Sequence, residues 1–82
     1  MDKIMSEVCV FLADGFEEIE GLTVVDLLRR AGIETRTVSI MGQEEIKGAH
    51  GIIVKADSLF ENTDFSEVKM LVLPGGCREQ SI

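Results

Sequence analysis

The chain has 82 residues and a formal net charge of −7, with 45% hydrophobic and 28% charged residues. This composition is typical of one small globular domain or part of one, and it excludes two domains and a disordered tail. The excess of acid argues against nucleic-acid binding, and no apolar run reaches the ~20 residues of a membrane-spanning helix. The N-terminus has no features of a secretory signal. We therefore expect a cytoplasmic protein with no nucleic-acid or membrane partner.

The first predicted elements are a buried strand and a long amphipathic helix. The apolar run at residues 8–13 lacks polar alternation, which is typical of a parallel strand buried on both faces. The helix that follows has Asp14 as its predicted N-cap, in a capping box with Glu17, and ends before Gly32. Glu18 is predicted to be a solvated partner of the helix dipole. The predicted buried stripe comprises Ile19, Leu22, Val25 and Leu28, widened by Val24, Leu27 and Ala31.

The remaining pattern predicts short strands with little helix to cover them. In chain order we expect a strand at 34–40, a hairpin from 44–47 and 51–56, a polar loop with one helical turn at 57–66, and a strand at 69–73 that ends at Pro74. A parallel sheet needs cover on both faces, and one helix cannot supply it. Residues 1–82 are therefore predicted to be the N-terminal part of a single, larger α/β domain.

Candidate site residues follow the first and last predicted parallel strands. Ligands in open α/β sheets bind beyond the carboxyl ends of the strands. Glu20, near the start of the helix, could point toward this edge, although an exposed surface acid is the alternative. Gly75 and Gly76 permit close backbone approach and could offer N–H groups to an oxyanion, but two glycines alone are a weak signal and a tight strand-to-helix turn is the simpler explanation.

The cysteines and the histidine are weaker candidates for catalytic or metal-binding residues. Cys77 follows the glycine turn, where a helix N-terminus can lower a thiol pKa, but the only histidine, His50, is predicted in the hairpin and places no base beside it. Cys9 is predicted to pack inside its strand, and both thiols are expected to be reduced. No metal-ligand spacing or cofactor motif is present, so neither a metal nor an organic cofactor is predicted.

Three segments resemble the ThiJ/PfpI superfamily. They are residues 8–20, which contain the string Gly-Phe-Glu-Glu-Ile-Glu, residues 25–32, and residues 71–76, which read Leu-Val-Leu-Pro-Gly-Gly. This superfamily includes deglycase-like proteins and bacterial proteins labelled as thiazole monophosphate biosynthesis factors. The resemblance implies a flavodoxin-like three-layer α/β sandwich with a mostly parallel sheet, longer than this chain and usually a homodimer.

The resemblance also implies site residues and a function. It places the family's site glutamate at Glu20, protonated beside a nucleophilic cysteine, and the backbone oxyanion pocket at Gly75 and Gly76. The nucleophile belongs to a later segment that these 82 residues lack, and Cys77 does not match it. We therefore expect the N-terminal part of a cysteine-dependent, glyoxalase III-like or deglycase-like enzyme, inactive alone, whose substrates are small reactive carbonyls. Its expected partners are a second copy or a C-terminal half. A stress-response chaperone, redox-sensing or interaction module, and a flavodoxin-like binding domain, remain as alternatives.

Overall fold

A computed structural model of the protein describes residues 8–74. The elements are β1 (Val8–Leu12), α1 (Glu18–Arg30), β2 (Thr35–Ser39), β3 (Glu45–Lys47), β4 (Ile53–Lys55), β5 (Ser58–Leu59), a 3-10 turn (Phe60–Asn62) and β6 (Met70–Val72). Every predicted strand and the predicted helical turn are present, and the two-residue β5 is an addition. Among these residues no helix is both long enough and apolar enough to cross a bilayer.

Four parallel strands form the main sheet, in the order β5-β2-β1-β6, and β3 and β4 form a separate antiparallel hairpin. The chain adds β2 and β5 on one side of β1 and then crosses to place β6 on the other side. A doubly wound, flavodoxin-like sheet reverses its direction of growth in the same way, and its ligand crevice lies at that reversal. The predicted fold class is confirmed, and the crevice position falls between the carboxyl ends of β1 and β6.

The core lies between the sheet, α1 and the β3–β4 hairpin. Its buried members are Val8, Val10, Leu12, Phe16, Val25, Ile46 and Ala56. Side chains alternate along a strand, so Cys9 and Phe11 belong to the opposite face of β1. There the rings of Phe11, Phe60 and Phe65 pack with centroids 5.3 to 5.9 Å apart. Aromatic side chains therefore cover part of the face that α1 leaves open.

The helix begins later than the capping box predicts. Its N-cap is Glu17, whose carboxylate accepts a hydrogen bond from the Ile19 N–H at 3.2 Å. Glu17 is a capping residue as predicted, but the predicted capping box with Asp14 as N-cap is wrong. Asp14 instead accepts a hydrogen bond from the Lys47 N–H at 3.1 Å. Gly15 has a φ of +91°, a conformation that favours glycine, and the chain turns there before helical geometry starts. The Asp14 carboxylate therefore binds the hairpin, whereas the sequence pattern predicts that it caps the helix.

The buried stripe of α1 also differs from the predicted one. Glu18, Gly21 and Val25 are buried. A Cβ on Gly21 would lie 3.0 Å from the Phe16 ring, so Phe16 packs directly against the helix backbone at this point and sets which face is buried. The members of the predicted stripe that remain exposed are Ile19, Leu22, Leu27 and Ala31.

Candidate functional site at the β1–β6 edge

The carboxyl ends of β1 and β6 form the edge where the sequence predicts a site. The two strands pair in parallel, with Val10 opposite Val72, so the segments that follow them leave the sheet on the same side. Pro74 is buried, and a Cβ on Gly21 of α1 would lie 3.4 Å from its ring. Glu20 directly precedes Gly21 in the first turn of α1, and its side chain is exposed. The first helical turn and the end of β6 are therefore in contact beside Glu20.

Gly75, Gly76 and Cys77 lie outside the described residues. Pro74, which directly precedes them, brings the chain to the first turn of α1. The roles assigned to Glu20 and to the glycine pair remain predictions.

The hairpin is attached to the β1–α1 connection by backbone hydrogen bonds. Gly15 donates to the Lys47 carbonyl at 2.8 Å, and Ala49 donates to the Phe16 carbonyl at 2.8 Å. These bonds cross between segments more than thirty positions apart in the chain, which sequence patterns do not reveal. As a result the turn between β3 and β4, including His50, lies against the start of α1.

Glu18 is the residue that the sequence interpretation placed wrongly. It is 3% exposed rather than solvated. Its Oε2 accepts hydrogen bonds from the His50 N–H at 2.8 Å and the Ile52 N–H at 3.2 Å, and its Oε1 lies 2.7 Å from His50 Nδ1. Gly48 makes this possible, because a Cβ there would overlap the Glu18 carboxylate. A buried carboxylate thus binds the hairpin turn to the helix.

The surroundings of Glu18 and His50 determine the protonation states of the two side chains. Burial raises the pKa of Glu18, but hydrogen bonds from the His50 ring and from the backbone N–H groups of Glu18, His50 and Ile52 outweigh burial and lower that pKa to about 2. The hydrogen bond to Glu18 raises the pKa of His50, and the negative charges of Glu17 and Glu18 raise it further. Glu18 is therefore ionised near neutral pH, and the pair favours the charged form of both partners.

The same contacts assemble a group of potential metal ligands. Glu17, Glu18 and His50 each place one donor atom within 4.8 Å of the other two. The sequence predicts no metal site because His50 is 32 positions from Glu18, and only the fold brings them together.

Cys9 is fully buried in β1, and its prediction as a packing residue is confirmed. Burial raises the pKa of its thiol, and the positive charge of Arg36 offsets only part of this effect. A buried thiol with a raised pKa is a poor nucleophile. Cys9 is therefore not a candidate for covalent chemistry.

The partial doubly wound sheet, with an acidic helix start at the point where strand order reverses, places this protein in the flavodoxin-like α/β class. Comparison with known proteins gives its family. The DJ-1/PfpI family profile matches residues 6–81, so the chain belongs to this family and the resemblance is confirmed. It is 32% identical over 76 residues to "Protein DJ-1 homolog B" of Arabidopsis thaliana, covering 93% of this chain and 17% of that protein. It is 36% identical over 70 residues to "Deglycase TK1284" of Thermococcus kodakarensis, covering 85% and 42% respectively.

Comparison with solved structures also finds members of this family. The structure of oxidized Toxoplasma gondii DJ-1 matches with a TM-score of 0.81 and 36% identity, covering 85% of this chain and 38% of that one. The chain thus spans less than half the length of these relatives.

Proposed function

We propose that residues 1–82 are the N-terminal part of a cysteine-dependent enzyme that acts on small reactive carbonyls, in the manner of a deglycase or a glyoxalase III. The observation that carries this proposal is the position of Glu20, which is exposed in the first turn of α1 and directly precedes Gly21, the residue that lies against Pro74 after β6. The Thermococcus relative that is named a deglycase supports the substrate class. The nucleophilic thiol would be supplied from outside these 82 residues.

The proposed chemistry gives each predicted residue a distinct task. Attack of a thiolate on a carbonyl carbon develops negative charge on the carbonyl oxygen. Backbone N–H groups at Gly75 and Gly76 would stabilise that charge. The Glu20 carboxyl would share a proton with the thiol and so assist proton transfer. This assignment requires neither a metal nor an organic cofactor.

The test measures methylglyoxal consumption by the complete gene product and its Glu20→Gln variant. We expect a loss of kcat/KM of at least ~100-fold, the size typical of a lost proton-transfer group. Glu34→Gln is the matched control, because Glu34 precedes β2 at the opposite edge of the sheet. Equal kcat/KM for wild type and Glu20→Gln would refute the role of Glu20.

Residues 1–82 alone should not consume methylglyoxal, because the nucleophile is supplied from elsewhere. Turnover by this segment that disappears in Cys77→Ser would instead assign the nucleophile to Cys77. That result would overturn the proposed division of the site between this segment and the rest of the protein.

A stress-response chaperone or interaction module is the second candidate, and exposed apolar side chains favour it. Among the described residues, the large apolar side chains that are more than half exposed are Ile19, Leu27, Ile52, Ile53, Met70, Leu71 and Leu73. In the enzyme we propose that a C-terminal half of the domain or a second copy of the chain covers them, whereas a chaperone would keep them accessible to its clients. Suppression of client aggregation by wild type and Glu20→Gln alike, without carbonyl turnover, would favour the chaperone role.

A further inference from the structure

We propose that Glu17, Glu18 and His50 form a binding site for a divalent transition metal ion, with Zn²⁺ as the ion that the donor set suits. The site is separate from the proposed carbonyl chemistry, which needs no metal. It lies between the start of α1 and the turn of the β3–β4 hairpin. Imidazole nitrogen and carboxylate oxygen are both common Zn²⁺ ligands.

Each carboxylate is already oriented by the backbone. Glu18 uses Oε2 to accept the N–H groups of His50 and Ile52, which leaves Oε1 directed at His50 Nδ1. Glu17 uses Oε1 to accept the Ile19 N–H, which leaves Oε2 facing the same ring nitrogen at 3.8 Å. Hydrogen bonds of this kind hold ligands in place around bound metals and raise metal affinity. The site therefore needs little ordering before a metal binds.

The three donor atoms lie within 4.8 Å of one another, so small movements would bring them to the spacing of a tetrahedral zinc site. Bond lengths of about 2.0–2.2 Å place two ligand atoms of a tetrahedral ion about 3.3 Å apart. His50 Nδ1 lies 2.7 Å from Glu18 Oε1 and 3.8 Å from Glu17 Oε2, so one separation must widen and the other must narrow by about 0.5 Å. The His50 side chain is 64% exposed and free to make this adjustment.

The charges also suit a divalent cation. Two carboxylates and a neutral imidazole carry −2, which balances the ion, and the 82 residues have a net charge of −7. Zn²⁺ would replace the proton that His50 Nδ1 and Glu18 Oε1 share, and that proton would pass to solvent. Three protein ligands leave a fourth position for water, as in open zinc sites.

Metal titration of the complete, chelator-treated protein tests this site. Zn²⁺ binding is measured by isothermal titration calorimetry near neutral pH, and Co²⁺ binding is followed by its visible absorption, which reports the coordination geometry. The variants are His50→Gln and Glu17→Gln, the second of which keeps a side-chain oxygen for the helix cap. Glu44→Gln is the control, because Glu44 is an exposed acid that pairs with Lys55. Circular dichroism of each metal-free variant verifies the fold.

We expect wild type and Glu44→Gln to bind the same amount of Zn²⁺ with the same affinity. His50→Gln and Glu17→Gln should each weaken one bound equivalent by at least about tenfold and lose the matching Co²⁺ spectrum. Zinc held by thiols elsewhere in the protein would persist in every variant and so remain distinguishable. Equal binding by wild type and both site variants, or no saturable binding by wild type, would overturn the proposal.

Discussion

Replacing Gly48 by alanine tests how Glu18 joins the hairpin to the helix. The three heavy atoms nearest to a Cβ at this position are Oε2, Cδ and Cγ of Glu18, all well inside 3.0 Å. Glu18 cannot move aside without breaking its hydrogen bonds to the N–H groups of His50 and Ile52. We therefore expect Gly48→Ala to lower the free energy of unfolding of the complete protein by about 1–3 kcal/mol, the usual cost of overpacking. Urea denaturation followed by far-UV circular dichroism measures it.

A double-mutant cycle separates this clash from other costs of losing a glycine. In a Glu18→Ala background the clashing atoms are gone, so most of the cost of Gly48→Ala should disappear. Gly42→Ala is the matched control, because Gly42 has a φ of +80° and open space around its Cα. Its cost of about 1–2 kcal/mol comes from the left-handed backbone and should be equal in both backgrounds. The same cost for Gly48→Ala with and without Glu18 would refute the reasoning.

Three further predictions concern pH, thiol reactivity and self-association. Burial raises the pKa of Asp57, but the N–H and hydroxyl groups of Thr37 and the charge of Arg29 outweigh burial and lower it below the usual range of an aspartate. A lowered native pKa stabilises the fold above the unfolded-state pKa, and this stabilisation is lost as the pH falls through the native value. Asp57→Asn should therefore destabilise the protein near neutral pH, and the difference from wild type in urea melts should shrink as the pH falls below the unfolded-state pKa of aspartate. Cys9 should resist alkylation by iodoacetamide in the native protein and react fully in urea, as mass spectrometry would show. Residues 1–82 alone should self-associate, because exposed apolar patches promote association, and a concentration-independent monomer in sedimentation equilibrium would contradict this.

Much of the fold was predictable because its signals are local. The apolar run of β1 and the arginines and glycine at the end of α1 each mark an element within a short window. Parallel pairing then followed from the single long helix between two strands, and it placed the ends of β1 and β6 at one edge. The sequence therefore placed the candidate crevice at the carboxyl ends of the first and last parallel strands, and the structure added the strand order that puts β1 beside β6.

The wrong predictions for Asp14 and Glu18 share one physical cause, which is the long-range docking of the hairpin. Asp14 has the composition and spacing of an N-cap, but the Lys47 N–H binds its carboxylate instead. Glu18 has the appearance of a solvated acid because its hydrogen-bond donors lie more than thirty positions away. The one signal in the sequence was helical spacing, because Glu18, Gly21 and Val25 fall on one face of the helix. A face that contains a carboxylate and a glycine does not match the apolar pattern that predicts burial.

The separation of the acidic residues at the start of α1 follows from helix geometry. Successive helical residues advance by about 100°, so Glu18 and Glu20 point about 160° apart and lie on opposite sides of the helix. Glu18 faces the hairpin, where His50 and Ile52 occupy its oxygens, whereas Glu20 leaves the helix on an exposed side next to the contact with Pro74. Substitutions at the two positions should therefore have separable effects. Glu18→Gln should loosen the hairpin turn and leave the proposed proton-transfer group in place, and Glu20→Gln should remove that group and leave the turn intact.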